Sequence, residues 1–156
     1  MQKEDYWKEI GEEKARSYWN ATRYILARIN HYFDEDLAYE IDMKYGIAFD
    51  EALRLVQVLR ELKNLFDKKS DSWFQRSAVR ALFVIKKTEN WWLLPGFKNL
   101  GDKYAIYAVV YDAREKKYYC DCFWHYLGKI RQIKICTHIG AVIVYRRLQR
   151  RITEYI

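Results

Sequence analysis

The amino-acid sequence predicts an α+β fold, with a helical N-terminal half followed by a small antiparallel sheet and a C-terminal helix. Three observations support this prediction. Apolar residues recur at three- and four-residue steps up to about residue 66, which is the helical period. Short runs rich in Val, Ile and aromatic residues follow from about residue 79. All three cysteines then fall within the short segment 120–136.

The N-terminal half is predicted to contain three helices. The first spans 3–33, and its apolar stripe is assigned to the core rather than to a partner-binding face. A short second helix runs through 37–43 and ends near Gly46. The third begins at Asp50, a favourable N-cap residue, and runs to about Phe66.

A polar segment, 67–72, divides the chain into a helical region, 1–72, and an α+β region, 73–156. The same segment also fits an ordinary interhelical loop. After it we expect one turn of helix at Trp73 and then an antiparallel sheet whose last two strands form a hairpin. The predicted strands are 79–86, 91–94, 104–112 and 117–123.

Four residues in the last third have the chemistry of a metal site: Cys120, Cys122, Cys136 and His138. They are arranged as Cys-x-Cys, thirteen intervening residues and Cys-x-His. Three thiolates and one imidazole form a closed tetrahedral set, as in a structural zinc site. Residues i and i+2 of a strand share one face, so Cys120 and Cys122 can approach one ion together. Cys136 is predicted at a helix start, where backbone N–H groups favour a thiolate, with His138 in the first turn.

Two other interpretations of the cysteines are open. Free cysteines are commonly buried as small hydrophobic residues. A Cys120–Cys122 disulfide would close a small strained ring and leave an odd cysteine. Neither explains a histidine two residues after the third cysteine, so we favour one structural zinc ion. His125, in the spacer, is a competing ligand, and His31 is expected to be an ordinary surface or core-edge residue.

The Cys-x-Cys and Cys-x-His pairs resemble the SWIM-type zinc finger. Ile135 before the third ligand and the apolar run after the histidine, within 139–142, are also similar to that family. The resemblance covers residues 77–150 at most and implies a ββα zinc finger with the four ligands above. It also implies binding of DNA or proteins, as in transposases, chromatin ATPases and recombination accessory factors. The chain departs from the family at 133–136, where Ile-Lys-Ile-Cys replaces the common Gly-x-x-Cys.

The positive charge of the chain is concentrated near its C-terminus. Residues 1–100 carry 17 basic and 16 acidic side chains, and residues 101–122 carry four of each. Residues 123–156 carry seven basic side chains and one acidic side chain, which accounts for nearly all of the net charge of +7. Charge concentrated in this way is typical of a surface that binds an anionic partner.

Seven basic side chains are the predicted contacts to nucleic acid. On a helix, positions 146/147 and 150/151 lie one turn apart, and arginine binds phosphate through two parallel hydrogen bonds. Aromatic residues at 123, 124 and 126 could stack on unpaired bases, which would favour single strands. Alternatively, the arginines only solvate the helix and the aromatic residues pack over the zinc. The predicted contact residues are Lys129, Arg131, Lys134, Arg146, Arg147, Arg150 and Arg151.

The sequence argues against an enzyme. It contains no phosphate-binding loop, nucleophile elbow or His-Glu-x-x-His motif. A zinc ion with four protein ligands has no open position for a reacting water. The N-terminus is charged and no apolar run reaches membrane-spanning length, which predicts a cytoplasmic, intracellular protein. The abundance of Lys and Glu resembles thermophile composition.

We therefore expect a zinc-stabilised nucleic-acid-binding protein, with single- or double-stranded DNA as the first candidate ligand. The SWIM resemblance alone suggests an accessory role in recombination, repair or transcription. The alternative is a non-enzymatic adaptor that uses the SWIM unit and the helical half for protein contacts, for example with a RecA-family recombinase paralogue. No small-molecule substrate or membrane partner is expected.

Overall fold

The computed structural model describes residues 11–122 and 135–154, with side chains as far as residue 151. These residues form five α-helices and one four-stranded antiparallel sheet, which confirms the α+β prediction. No helix among them is both long and apolar enough to cross a membrane. The helices are α1 (Glu12–Arg28), α2 (Asp34–Tyr45), α3 (Phe49–Leu65), α4 (Asp71–Ala81) and α5 (Thr137–Glu154). The strands are β1 (Ile85–Thr88), β2 (Trp91–Pro95), β3 (Ile106–Asp112) and β4 (Lys117–Cys120).

The first helix ends earlier than the periodicity predicts. Its predicted start lies outside the described residues, and α1 stops at Arg28 instead of continuing to residue 33. Arg60 of α3 supplies the reason, because its guanidinium donates hydrogen bonds to the carbonyl oxygens of Ile29 and Tyr32. It also pairs with Asp34, at the start of α2. A side chain distant in sequence therefore satisfies carbonyls that a longer helix would have satisfied itself.

The boundaries of the next two helices agree with the sequence in part. Gly46 ends α2 in the left-handed conformation, with φ 69°, and its N–H donates to the carbonyl of Asp42, as predicted. Asp50 is not the N-cap of α3, since the helix begins one residue earlier and no side chain caps it. Asp50 instead lies in the first turn, where its negative charge interacts favourably with the positive end of the helix dipole.

A buried hydrogen bond joins α1 to α3. The hydroxyl of Tyr18 donates to the carboxylate of Glu51, which also pairs with Lys14. Burial raises the pKa of Tyr18, and the bond to Glu51 raises it further. Burial by itself would raise the pKa of Glu51, but the hydrogen bonds from Tyr18 and Lys14 outweigh it and lower that pKa.

Tyr18→Phe is therefore expected to lower the free energy of unfolding by about 1–2 kcal/mol, because a part-buried carboxylate loses a donor. The pKa of Glu51 is expected to rise for the same reason. Urea unfolding measures the first effect, and an NMR titration of the Glu51 carboxyl measures the second. An unchanged Glu51 pKa would show that Lys14 alone stabilises the carboxylate.

The prediction for residues 73–86 was wrong. Instead of one helical turn and a strand from residue 79, the chain forms α4, an eleven-residue helix. Ser70 caps it, since its hydroxyl accepts a hydrogen bond from the N–H of Trp73. The helix is buried along most of its length, and its buried residues include the polar or charged Gln75, Ser77 and Arg80. These polar residues obscure the helical pattern, whereas the alternating apolar residues from 79 to 85 favoured a strand.

The sheet has the strand order β1-β2-β3-β4, all antiparallel. The prediction of β2 and of the β3–β4 hairpin is confirmed, although β3 starts at Ile106 and β4 ends at Cys120. One face carries the buried side chains Trp92, Tyr107, Val109 and Cys120. Helix α5 contacts β3 and β4, and it packs most extensively against α4.

Helices α4 and α5 approach each other closely at Gly140. A Cβ atom at that position would lie only 2.2 Å from Ser77 Oγ. Helix α4 also packs against α1, so it contacts both the helical half and the C-terminal helix. The interhelical loop before α4 lies at the proposed boundary, and the division of the chain at residue 72 stays a prediction.

Candidate metal centre

The four predicted ligands meet at one buried point. Cys120 ends β4, Cys122 follows two residues later, Cys136 directly precedes α5, and His138 lies in the first turn of α5. One donor atom from each lies within 4.8 Å of the other three. All four residues are 1–5% exposed. In a tetrahedral zinc site with Zn–S bonds of about 2.3 Å, neighbouring sulfurs lie about 3.8 Å apart, so a small adjustment would close this set around one ion.

The hairpin positions the first two cysteines. Cys120 pairs with Val109 across the sheet. Asp121 prolongs the contact with β3, because its N–H donates to the carbonyl of Ala108 and its carboxylate accepts from the N–H of Ala108. Cys122 lies beyond the strand, which corrects the expectation that both cysteines belong to a strand reaching residue 123. The strand ends at Cys120 and the chain turns at Asp121. The two cysteines are therefore brought together by this turn, not by lying on the same face of one strand.

Backbone N–H groups point at the sulfurs. The N–H of Cys122 donates to Cys120 Sγ at 3.5 Å, and the N–H of Ile139 donates to Cys136 Sγ at 3.5 Å. The second contact comes from the first turn of α5, as predicted for a cysteine at a helix start. N–H groups at a helix N-terminus stabilise a thiolate, which is the form that binds metal.

The three thiols do not ionise independently. Hydrogen bonds with Cys122 and Cys136, and then burial, raise the pKa of Cys120. Hydrogen bonds with Cys120 and Cys122 lower the pKa of Cys136. Ionisation of all three cysteines requires a cation among them, which is what a bound metal supplies.

His138 has one nitrogen engaged and one without a partner. Nε2 lies 3.0 Å from Asp102 Oδ1. Nδ1 is buried and makes no hydrogen bond. Burial by itself would lower the pKa of His138, but the hydrogen bond with Asp102 and contact with Cys136 outweigh it and raise the pKa. A buried imidazole nitrogen without a hydrogen bond beside three thiols is suited to bind a metal ion.

Sequence reasoning missed two charged residues behind the histidine, Arg80 of α4 and Asp102 from the loop before β3. Both are buried, and they form an ion pair through two hydrogen bonds. Burial by itself would raise the pKa of Asp102, but hydrogen bonds with His138 and Arg80 outweigh it and lower the pKa to about 2. The available signal was Arg80 itself, a lone charge within the apolar stretch 77–85.

The predicted nucleic-acid contacts are only partly described. Lys129, Arg131 and Lys134 lie outside the described residues, as do the competing ligand His125 and the aromatic residues at 123–126. Arg146 lies over the ring of Trp92 and donates to the hydroxyl of Tyr118.

The other three arginines of α5 differ in exposure. Arg147 and Arg151 both pair with Glu61 of α3, and Arg151 also donates to Gln57. Arg150 is exposed. The four arginines are therefore close in sequence, but three of them have partners within the chain. Nucleic-acid binding by these residues stays a prediction.

Comparisons of the chain with protein-family models, with curated proteins and with solved structures found no match. By its geometry, the centre is a buried set of three cysteines and one histidine that could bind one metal ion.

Proposed function

We propose that the chain is a zinc-stabilised, non-enzymatic binding protein whose metal centre is of the SWIM type. The observation that carries the proposal is the convergence of three sulfurs and one imidazole nitrogen at a single buried point. Zinc is the metal that this donor set favours, since thiolates and imidazole in a tetrahedral arrangement are its usual structural ligands. Four protein ligands leave no coordination position for water, so the role is structural.

The first test is native mass spectrometry of protein purified without added metal. We expect one zinc ion per chain, because structural sites of this type bind tightly at neutral pH. Cys122→Ser is the matched variant, since it removes one ligand with a nearly isosteric side chain. Metal-free wild-type protein, or equal zinc content in the two proteins, would exclude the site.

For the partner, exposed apolar side chains favour an adaptor that contacts protein. Phe33, Tyr39 and Met43 at helix α2 are 78%, 62% and 71% exposed. Aromatic residues and methionine are enriched in protein interfaces, where their burial contributes most of the binding energy. A RecA-family recombinase paralogue is one candidate partner, suggested by the SWIM resemblance only.

DNA binding is the second candidate, and the charge of residues 123–156 favours it. Arg150 offers the sharpest test because it is exposed, whereas loss of Arg147 or Arg151 would also release Glu61. If α5 binds the phosphate backbone, Arg150→Ala is expected to weaken binding and to reduce the salt slope by about one ion. Fluorescence anisotropy with single- and double-stranded DNA across a salt series measures both quantities.

Arg23→Ala is the matched control for that experiment, since Arg23 is an exposed arginine on α1. Equal effects of the two substitutions would assign the binding to general charge rather than to α5. An absence of DNA binding at low salt, in protein with its zinc content confirmed, would exclude the second candidate and leave the adaptor.

A further inference from the structure

We propose that Asp102, held by Arg80, positions His138 so that the histidine binds the metal through Nδ1. The inference rests on the proposed zinc site, and it adds which nitrogen is the ligand and which residues determine that choice. Neither positioning residue belongs to the Cys-x-Cys and Cys-x-His pattern. Asp102 precedes His138 by 36 residues, and Arg80 precedes Asp102 by 22 residues.

The first step is the commitment of Nε2. It lies 3.0 Å from Asp102 Oδ1, and the guanidinium of Arg80 donates to both oxygens of that carboxylate, so Oδ1 is an acceptor. Nε2 must therefore carry the proton and donate it. In a neutral imidazole the other nitrogen then has a free lone pair. Nδ1 is that nitrogen, and it is buried without a hydrogen bond.

The second step is that hydrogen bonds fix the orientation of the Asp102 carboxylate. Arg80 donates to both of its oxygens, through Nη1 to Oδ2 and through Nη2 to Oδ1. The N–H of Phe97 donates to Oδ2 at 2.8 Å, and the N–H of Asp102 returns a bond to the Phe97 carbonyl. With its other contacts occupied, the carboxylate presents Oδ1 to the imidazole in one orientation.

Arg80 is itself held between the carboxylate and the ligand helix. Its Nε donates to Thr137 Oγ1 at 3.0 Å, and Thr137 is the residue between Cys136 and His138. Its Nη2 also donates to the carbonyl of Leu100 at 3.3 Å. One guanidinium thus connects the start of α5 with the loop that carries Asp102, and it fixes their separation.

The plane of the imidazole ring is set by Tyr107. The two rings stack with centroids 4.1 Å apart and planes 21° from parallel. The hydroxyl of Tyr107 accepts hydrogen bonds from the N–H groups of Lys103 and Tyr104, which holds the ring at the end of the same loop. One edge of the imidazole ring is bound to Asp102 and one face packs against Tyr107, so the ring has a single orientation. In that orientation the lone pair of Nδ1 is available to a metal ion.

Charge also favours this arrangement. A zinc ion with three thiolates carries one excess negative charge, and a buried carboxylate nearby would add a second. Arg80 neutralises the added charge, since it is 2% exposed and pairs directly with Asp102. A buried charge without such compensation is strongly unfavourable. Ligand histidines whose second nitrogen donates to a carboxylate are more basic and better oriented for the metal.

The decisive measurement is made on wild-type protein loaded with cadmium-113 and labelled with nitrogen-15 on histidine. We expect scalar coupling between cadmium and Nδ1 of His138, together with a protonated Nε2. The three histidines are assigned by substituting His31 and His125 separately. Coupling to Nε2 would overturn this inference while leaving the metal site intact. A failure of the wild-type protein to bind any metal would overturn the proposed function itself.

Asp102→Asn supplies the second measurement. The amide keeps the shape of the side chain, but it loses the charge that holds Arg80 and orients the imidazole. Zinc affinity, measured by competition with a chelator, is expected to fall about 10- to 100-fold. Tyr18→Phe is the control, since it removes a buried hydrogen bond remote from the centre and should change zinc affinity little. Equal zinc affinity in the two variants would exclude the positioning role. If Asp102→Asn does not fold, the cadmium coupling in wild-type protein still decides whether Nδ1 or Nε2 of His138 binds the metal.

Discussion

Cys136→Ser is expected to unfold β3, β4 and α5 while the helical half keeps more of its protection. Cys136 is the proposed ligand at the start of α5, so its substitution would remove the metal-mediated connection between that helix and the hairpin. Structural zinc contributes about 10 kcal/mol or more to folding in small zinc-binding units. This is comparable with the whole stability of a typical domain, about 5–15 kcal/mol.

Hydrogen exchange measured by mass spectrometry, on variant and wild-type protein in the same buffer, tests this prediction. We expect the largest increase in exchange within 106–122 and 135–151, and a smaller one within 34–65. Zinc removal by a chelator should reproduce the pattern in wild-type protein. Thr22→Val is the control, because it replaces a buried hydroxyl without a partner in α1 and should leave exchange at the centre unchanged. Uniform, mild destabilisation after the cysteine substitution would contradict a structural metal.

Arg80→Met is expected to produce the second large effect, a loss of about 3–5 kcal/mol in the free energy of unfolding. The substitution keeps most of the side-chain volume but leaves Asp102 buried without its counter-charge. The hydrogen bonds to Thr137 and Leu100 are lost as well. Denaturant unfolding of the zinc-loaded protein measures the loss.

A double-mutant cycle separates the ion pair from these other contacts. In Arg80→Met combined with Asp102→Asn, no unpaired charge remains, so the combined loss should be smaller than the sum of the two single losses. Arg147→Met is the control, since the pair of Arg147 and Glu61 is partly exposed and such pairs contribute about 0–1 kcal/mol. Additive losses at Arg80 and Asp102 would show that the two side chains act separately.

The sequence by itself determined the candidate ligand set and the general architecture. Cysteine and histidine are recognisable metal ligands wherever they lie, and their spacing restricts which elements can carry them. The helices α2 and α3 were also predictable from apolar residues at the helical period, and the strands β2 and β3 from short apolar runs rich in aromatic and β-branched residues. The end of α2 at Gly46 follows from the freedom of glycine to adopt a positive φ. All of these features depend on residue chemistry or on neighbours close in the chain.

Only the tertiary structure decided the remaining features. Helix α4 buries Gln75 and Arg80, whose hydrogen-bond partners Trp19, Thr137 and Asp102 are distant in sequence. Arg60 donates to the carbonyl of Ile29, just beyond the end of α1, and the two residues are 31 positions apart. Arg147 of α5 pairs with Glu61, and these residues are 86 positions apart. His138 and Asp102 are 36 residues apart. The physical reason is the same in each case: the strength of a charge–charge or hydrogen-bond contact depends on distance and burial in space, and neither quantity is present in the order of the residues.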